Sequence, residues 1–243
     1  MLVLASASPR RQELLRNAGI AFVVQPTDIP EVPREGELPR LFAERLAREK
    51  ASAVARQRPD HFVLGADTIV VVGGRILGKP TDASDAAHML RLLSGRTHEV
   101  ITGVCLAGLR PNLLETGTGL SDRFPEPVQK PKGLKPQRLW DPSGTPEGVP
   151  FQITVHETGS GNRKTGTTFE DVRSESTLVT MNALSDTDVD AYIATDEPMD
   201  KAGAYAIQGI ASRWIPRIEG DYSNVVGLPV ALVFSMLRKH GAI

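Results

Sequence analysis

The sequence predicts an α/β fold with a mixed β-sheet, and three observations carry that prediction. Short, nearly continuous apolar runs such as "LVLA" (2–5), "IAFVV" (20–24) and "HEVITGVCLAG" (98–108) read as strands. Between them lie segments whose apolar residues recur every three to four positions, as in helices that pack on a sheet. Gly73-Gly74 joins two apolar runs by a tight turn, so at least one strand pair is antiparallel. At 243 residues, 40% of them hydrophobic, the chain can bury a real core.

Taken in order, "LVLA" is the first strand. Ser8 suits an N-cap and Pro9 the first helical position. Leu14, Leu15 and Ala18 then share one side of a helix that Gly19 closes. A strand over 20–24 leads into a loop rich in proline and acid (25–37). Periodicity predicts a helix over 38–56, with Leu38, Phe42 and Leu46 stepping by four. Lys50 and Val54 continue that inward row. A lysine there either snorkels at the helix edge or serves a function. "HFVLGADTIVVVGGRILGKP" (61–80) reads as strand, break, strand, hairpin and strand, followed by a helix from Ser84 to Leu93 and the strand over 98–108. Composition then changes. Residues 108–173 are rich in proline and glycine and read as an irregular insertion within a single domain spanning 1–243, with 151–172 as a β-hairpin arm. Core-like sequence resumes at 176–185, a strand and a helix start, where Ser185 and Asp188 form a capping pattern ahead of Val189, Tyr192 and Ile193. Residues 199–209 run into a strand. Residues 213–229 give a strand, a turn and the lead-in to a last helix over 229–239.

Bulk properties exclude several functions. A net charge of −1 provides no global basic field for nucleic acid, so anion binding has to be local. Aromatic residues are only 5%, and the small basic run "KPKGLKPQR" (130–138) reads as a solvated loop. Cys105 is the one cysteine, so no internal disulfide forms, which suits a reducing cytosol. The apolar start "MLVLASASPRR" is too short for a secretory signal, and no stretch approaches membrane-spanning length. The expectation is a cytoplasmic protein with no nucleic-acid or membrane partner. The five histidines show no metal-ligand spacing, and neither a Walker loop nor G-x-G-x-x-G is present.

A few residues stand out as carriers of chemistry. Asp67 lies between the apolar runs "FVLGA" and "TIVVV", where a carboxylate is half buried and needs a partner or a metal. The competing reading is a turn or capping aspartate before Thr68. Arg10 and Arg11 occupy a first helical turn, where the macrodipole disfavours cations unless an anion binds there too. Lys79 sits in the rigid turn "GKP". Arg10, Arg11, Lys50 and Lys79 with Asp67 suggest a polyphosphate site with a divalent cation.

The stretches "LASASPRRQELL", "LAREKA", "GADTIV", "GKP", "LSGRTHEVITGV", "EPMDKAGAYAIQG" and "GDYSNVVGLP" stand in the order seen in the Maf-type nucleoside triphosphate pyrophosphatases, which the chain resembles over residues 1–107 and 174–240. The resemblance implies an inosine-triphosphatase-like fold, an elongated mixed sheet flanked by helices, with a cleft between two lobes. It implies hydrolysis of a nucleoside triphosphate to the monophosphate and pyrophosphate with Mg²⁺ or Mn²⁺. By motif position, Asp67 is then the proton acceptor. Arg10, Thr68 and Gln208 tune nucleotide choice. Arg11, Lys50 and Lys79 grip the triphosphate, with Ser8 beside them, and Glu31 and Asp67 hold the metal. "DKAGAY" with "IQG" is similar to the branch acting on dTTP and UTP rather than on methylated guanosine nucleotides. Two departures stand out: Ala206 replaces a common glycine, and 108–173 has no counterpart of that length. The alternative function is a non-catalytic nucleotide sensor linked to cell division, using the same cleft. A homodimer is left open.

Overall fold

Apolar runs too short to fold alone combine here into one seven-stranded sheet. The computed structural model describes residues 1–111 and 166–243. The strands are β1 (Leu2–Leu4), β2 (Phe22–Val24), β3 (Phe62–Val72), β4 (Arg75–Leu77), β5 (Thr97–Pro111), β6 (Gly166–Thr180) and β7 (Arg217–Glu219). The helices are α1 (Pro9–Asn17), α2 (Pro39–Ala55), α3 (Ala83–Leu93), α4 (Asp186–Ile193), α5 (Tyr222–Val226) and α6 (Val230–Lys239). Strand order is β2-β1-β3-β5-β6-β7, with β4 folded back onto β3. β1 is parallel to both β2 and β3, whereas β3 is antiparallel to β4 and β5. The sheet is therefore mixed and the class α/β, as expected.

Local chemistry explains the helix starts. The Ser8 hydroxyl accepts from the Arg11 amide and Pro9 opens α1. Ser185 and Asp188 complete a reciprocal capping box on α4. The helix α2 is held by its contact with the sheet. A Cβ on Gly65 would lie 2.2 Å from the Ala47 carbonyl oxygen, and one on Gly103 would lie 2.3 Å from that of Ala43. The two glycines let the helix backbone rest on the strands, with the small side chains of Ala43, Ala47 and Ala51 at the contact. Phe42, Leu46, Lys50 and Val54 are buried on the inner face, while Leu38, expected in that row, is exposed at the helix start.

Four hydrophobic clusters cover the sheet, and two of them include residues of α2. Leu2, Leu4, Leu15, Leu64, Ala66 and residues of α6 form one lobe. Val70, Val72, Leu90, Val100, Tyr192 and Tyr205 belong to the other. Between them, one edge of β3 changes partner. β1 pairs with residues 62–64 and β4 with residues 70–72, so among the described residues no strand pairs with that edge over 65–69. The cleft opens at this gap.

Two expectations are corrected. The strand through Asp67 is continuous from Phe62 to Val72, because the residue pairs with Gly103 in the β5 ladder and no break is needed. Residues 205–209 are not a strand. Single-turn 3₁₀ helices flank them at 202–204 and 210–214, and Gly209 N donates to Ala206 O, closing a turn. At the two ends of the expected insertion, residues 108–111 and 166–173 belong to β5 and β6. Residues 112–165, including most of the expected hairpin arm, lie outside the described residues. No helix among the described residues is long and apolar enough to cross a membrane.

Candidate active site

Alternate residues of a strand face opposite sides of its sheet. At a gap in the sheet, both sides open onto the same cavity. Asp67 faces α2 and Thr68 faces α1 and α5, yet both line one cleft of about 470 Å³, within the usual size of a small-molecule site. Ser8, Arg10, Arg11, Glu31, Lys50, Lys79 and Gln208 line it as well. All the predicted site residues therefore converge on one cavity.

Asp67 is 5% exposed. The Lys50 ammonium donates to its Oδ1 at 2.6 Å and to Glu31 Oε1 at the same distance. The lysine on the apolar row thus has two carboxylate partners, and Gly65 and Gly103 bring its helix close enough to reach them. Lys79 Nζ lies 3.7 Å from Glu31 Oε2 on the open side. Burial pushes the Asp67 carboxyl above its usual range, against the opposing charges of Lys50 and Arg11. Glu31 goes the other way. Burial also opposes its ionisation, but the Lys50 hydrogen bond and the charges of Lys50, Lys79 and Arg11 outweigh it. Two neighbouring carboxyls are therefore driven in opposite directions.

The opposite wall is built around Arg11. Its guanidinium donates to Gly227 O at 2.8 Å, to Ser6 Oγ at 3.1 Å and to Thr68 Oγ1 at 3.1 Å. Thr68 contacts Thr102 Oγ1 at 2.9 Å, and Thr102 donates to the Asn224 carbonyl at 3.1 Å. Asn224, fully buried, donates in turn to Val100 O and to Thr177 Oγ1, each at 3.0 Å. Arg10 leaves the N-terminus of α1 and pairs with Asp200 at 3.2 Å. Lys201 also binds Asp200. Gln208 is exposed at the tip of the 206–209 turn and aligned along the cleft wall.

The sequence pattern did not reveal Ser6, Thr102, Asp200, Asn224 or the Gly227 carbonyl. All but Ser6, which meets Ser8 and Arg11 nearby in the chain, act through contacts distant in sequence. The available clue was the run of hydrogen-bonding residues in "ASAS" and "GDYSN", which no apolar period requires.

A family model described as Maf-like protein matches residues 1–121 and 152–240. The chain belongs to the Maf-like protein family. The match skips 122–151, inside the segment that composition marks as an insertion. The Maf-like chain is similar over 242 residues, 45% identical, to a dTTP/UTP pyrophosphatase of Koribacter versatilis, covering 100% of this chain and 95% of that one. It is 42% identical over 242 residues to the protein of the same name from Geobacter sulfurreducens, covering 100% and 97%. A third, from Syntrophomonas wolfei, is 40% identical over 238 residues, covering 98% and 96%.

Hard oxygen donors suit Mg²⁺ or Mn²⁺. Asp67 Oδ1 and Glu31 Oε1 both bind the Lys50 ammonium, which fills the position between them. Among the described residues, no group of three or more His, Cys, Asp or Glu side chains could hold a metal alone. A pair of carboxylates completed by substrate phosphates is a usual mode for Mg²⁺, and the carboxylate oxygens not bound to Lys50, Asp67 Oδ2 and Glu31 Oε2, are the donors that would serve it.

Proposed function

We propose that this Maf-like protein hydrolyses dTTP and UTP to the monophosphate and pyrophosphate, with Asp67 as the general base. One observation carries the reading: a desolvated carboxylate held by Lys50 stands at a gap in the sheet, in a cleft that Arg10, Arg11 and Lys79 also line. The names of relatives 40–45% identical over nearly their full length supply the nucleotides.

Each group has a separable task. Arg11 is held by Ser6, Thr68 and Gly227, so its fork meets phosphate oxygens with little reordering. Lys79, mostly exposed, reaches the outer phosphates, and Arg10 can exchange Asp200 for the nucleotide. The hydroxyl of Ser8 and the Arg10 amide in the first turn of α1 offer further donors. Lys50 orients Asp67. Asp67 takes a proton from a water molecule as its oxygen attacks the α-phosphorus. The bond from that phosphorus to the α,β-bridging oxygen breaks, and pyrophosphate leaves with the electron pair. A carboxyl raised above its ordinary range is a stronger base near neutral pH. When bound at Glu31 and Asp67, Mg²⁺ or Mn²⁺ supplies Lewis-acid neutralisation of phosphate charge. Thr68 and the Gln208 amide offer donors and acceptors to a pyrimidine edge. A nucleotide sensor needs no desolvated base in its cleft, so this site favours catalysis. The single buried Cys105 and a nucleotide substrate suit the reducing cytoplasm.

The test is pyrophosphate release from dTTP and UTP by the wild type with Mg²⁺ and with Mn²⁺, beside ATP, CTP and GTP. Turnover concentrated in dTTP and UTP is expected. No turnover of any triphosphate contradicts the reading.

A further inference from the structure

The turn that carries Gln208 has no regular secondary structure of its own. Residues 205–209 lie between two single-turn 3₁₀ helices and make no strand pairing. Such a segment holds one shape only if other groups bind its backbone. Two side chains from outside the turn hold it at its ends, one at Ala206 and one at Ile210, the first residue of the following 3₁₀ helix. Tyr192, on α4, is 1% exposed, and its hydroxyl accepts from Ala206 N at 3.1 Å and donates to Glu197 Oε1 at 2.8 Å. Glu197 accepts from Ile210 N through Oε1 at 3.0 Å and through Oε2 at 3.2 Å. The two amides bracket Gln208. The carboxylate also fills the space beside Gly209, where an added Cβ would lie 2.3 Å from Oε1. The turn is thus folded around this side chain, and Gly209 permits the contact. Glu197 O further accepts from Lys201 Nζ at 3.2 Å, which ties the residue beside Asp200 to the same centre.

We propose that Tyr192 and Glu197 are positioning residues for nucleotide choice, fixing the 206–210 turn so that Gln208 meets the base edge at one distance. The proposal rests on the reading that the cleft takes a pyrimidine nucleoside triphosphate. Neither side chain touches the substrate. Uracil and cytosine differ at two adjacent edge positions, where donor and acceptor are interchanged. A terminal amide can distinguish them only if its oxygen and nitrogen are held in place, because an unmatched polar group in the site penalises the wrong base. If the turn loosens, Gln208 can rotate and accept either edge.

The experiment compares kcat/KM for UTP and CTP in Tyr192→Phe, Glu197→Gln and Glu197→Ala, with Tyr192→Phe repeated in a Gln208→Ala background. Tyr192→Phe keeps the ring against Trp214, 5.5 Å between centroids, so the fold is retained and this variant carries the test if Glu197→Ala does not fold. Tyr192→Phe and Glu197→Ala are expected to lower the UTP-to-CTP ratio about tenfold, through the KM for UTP with kcat little changed. Glu197→Gln keeps an amide oxygen for Ile210 N and Tyr192, and is expected to hold the ratio within about twofold. In the Gln208→Ala background, Tyr192→Phe should change the ratio no further. A Tyr192→Phe enzyme that is less heat-stable but keeps the wild-type ratio overturns the proposal, as does an equal drop with Gln208→Ala. Those results leave the pyrophosphatase reading standing. A wild type that releases no pyrophosphate from UTP or dTTP refutes that reading, and the proposal with it.

Discussion

Asp67 and His98 are both buried and titratable, and they differ in what surrounds them. Asp67 has cations within reach, whereas the His98 ring meets only the Tyr205 hydroxyl at 2.7 Å, and its Nδ1 has no partner among the described residues. Burial alone pushes the His98 pKa down to about 4. The unfolded chain therefore binds this proton more tightly than the folded one, and stability rises with pH across the interval between the two pKa values. The contribution is fully present above the unfolded value of about 6.5, and about 3 kcal/mol is lost as pH falls to 4. Denaturant unfolding at several pH values checks this, and His98→Gln is expected to flatten the slope in that window. At this scale the sequence was informative where a residue contradicted its neighbours. Lys50 broke an apolar row and Asp67 interrupted two apolar runs, and both are in the site. His98 and Asn224 did not stand out, because a polar residue in a strand carries no mark of burial until the opposing layer is known.

The helix α2 shows how an element places a side chain. Lys50 reaches Asp67 because Gly65 and Gly103 let the helix backbone touch β3 and β5. Gly103→Ala would drive a methyl group to 2.3 Å from the Ala43 carbonyl, so the helix has to move outward. A loss of about 3 kcal/mol or more is expected from that overpacking, with a fall in turnover as Lys50 withdraws from Asp67. Urea unfolding and pyrophosphate release measured together test both parts. Unchanged stability would show that α2 is not held by this contact. The helix itself was legible from its period and the strands from their apolar runs. The glycines were not, because "VLGADT" and "VITGVC" read as a break or a plain strand until the facing helix is known. For the same reason the expected break at Asp67 proved to be a continuous strand. The 205–209 run was apolar enough to resemble a strand, but its Ala206 amide donates to Tyr192 and its Gly209 amide to Ala206 O rather than to a ladder.

For the molecule as a whole, the gap along β3 lies between the cluster of Leu64 and Ala66 and that of Val70 and Val72, and opens both sheet faces to one cleft. A ligand in that gap touches both lobes and stabilises the native state by mass action. A UTP analogue with an α,β-imido bridge, present at about one hundred times its Kd, should stabilise the fold by about 2.7 kcal/mol, read as a rise in Tm. Arg11→Ala should abolish most of that rise. An equal rise in the variant would place the nucleotide elsewhere. Composition and motif order were enough to predict an α/β fold and a polyphosphate site. The gap itself was not legible, since it depends on which strands pair, and pairing is nonlocal.

In the proposed mechanism Asp67 activates the attacking water. The direct measurement is pyrophosphate release from UTP by Asp67→Asn at saturating substrate, with circular dichroism confirming the fold. A loss of about 10²–10⁴-fold in kcat is expected. Turnover within about tenfold of the wild type would contradict the account, because removing a general base costs more than that.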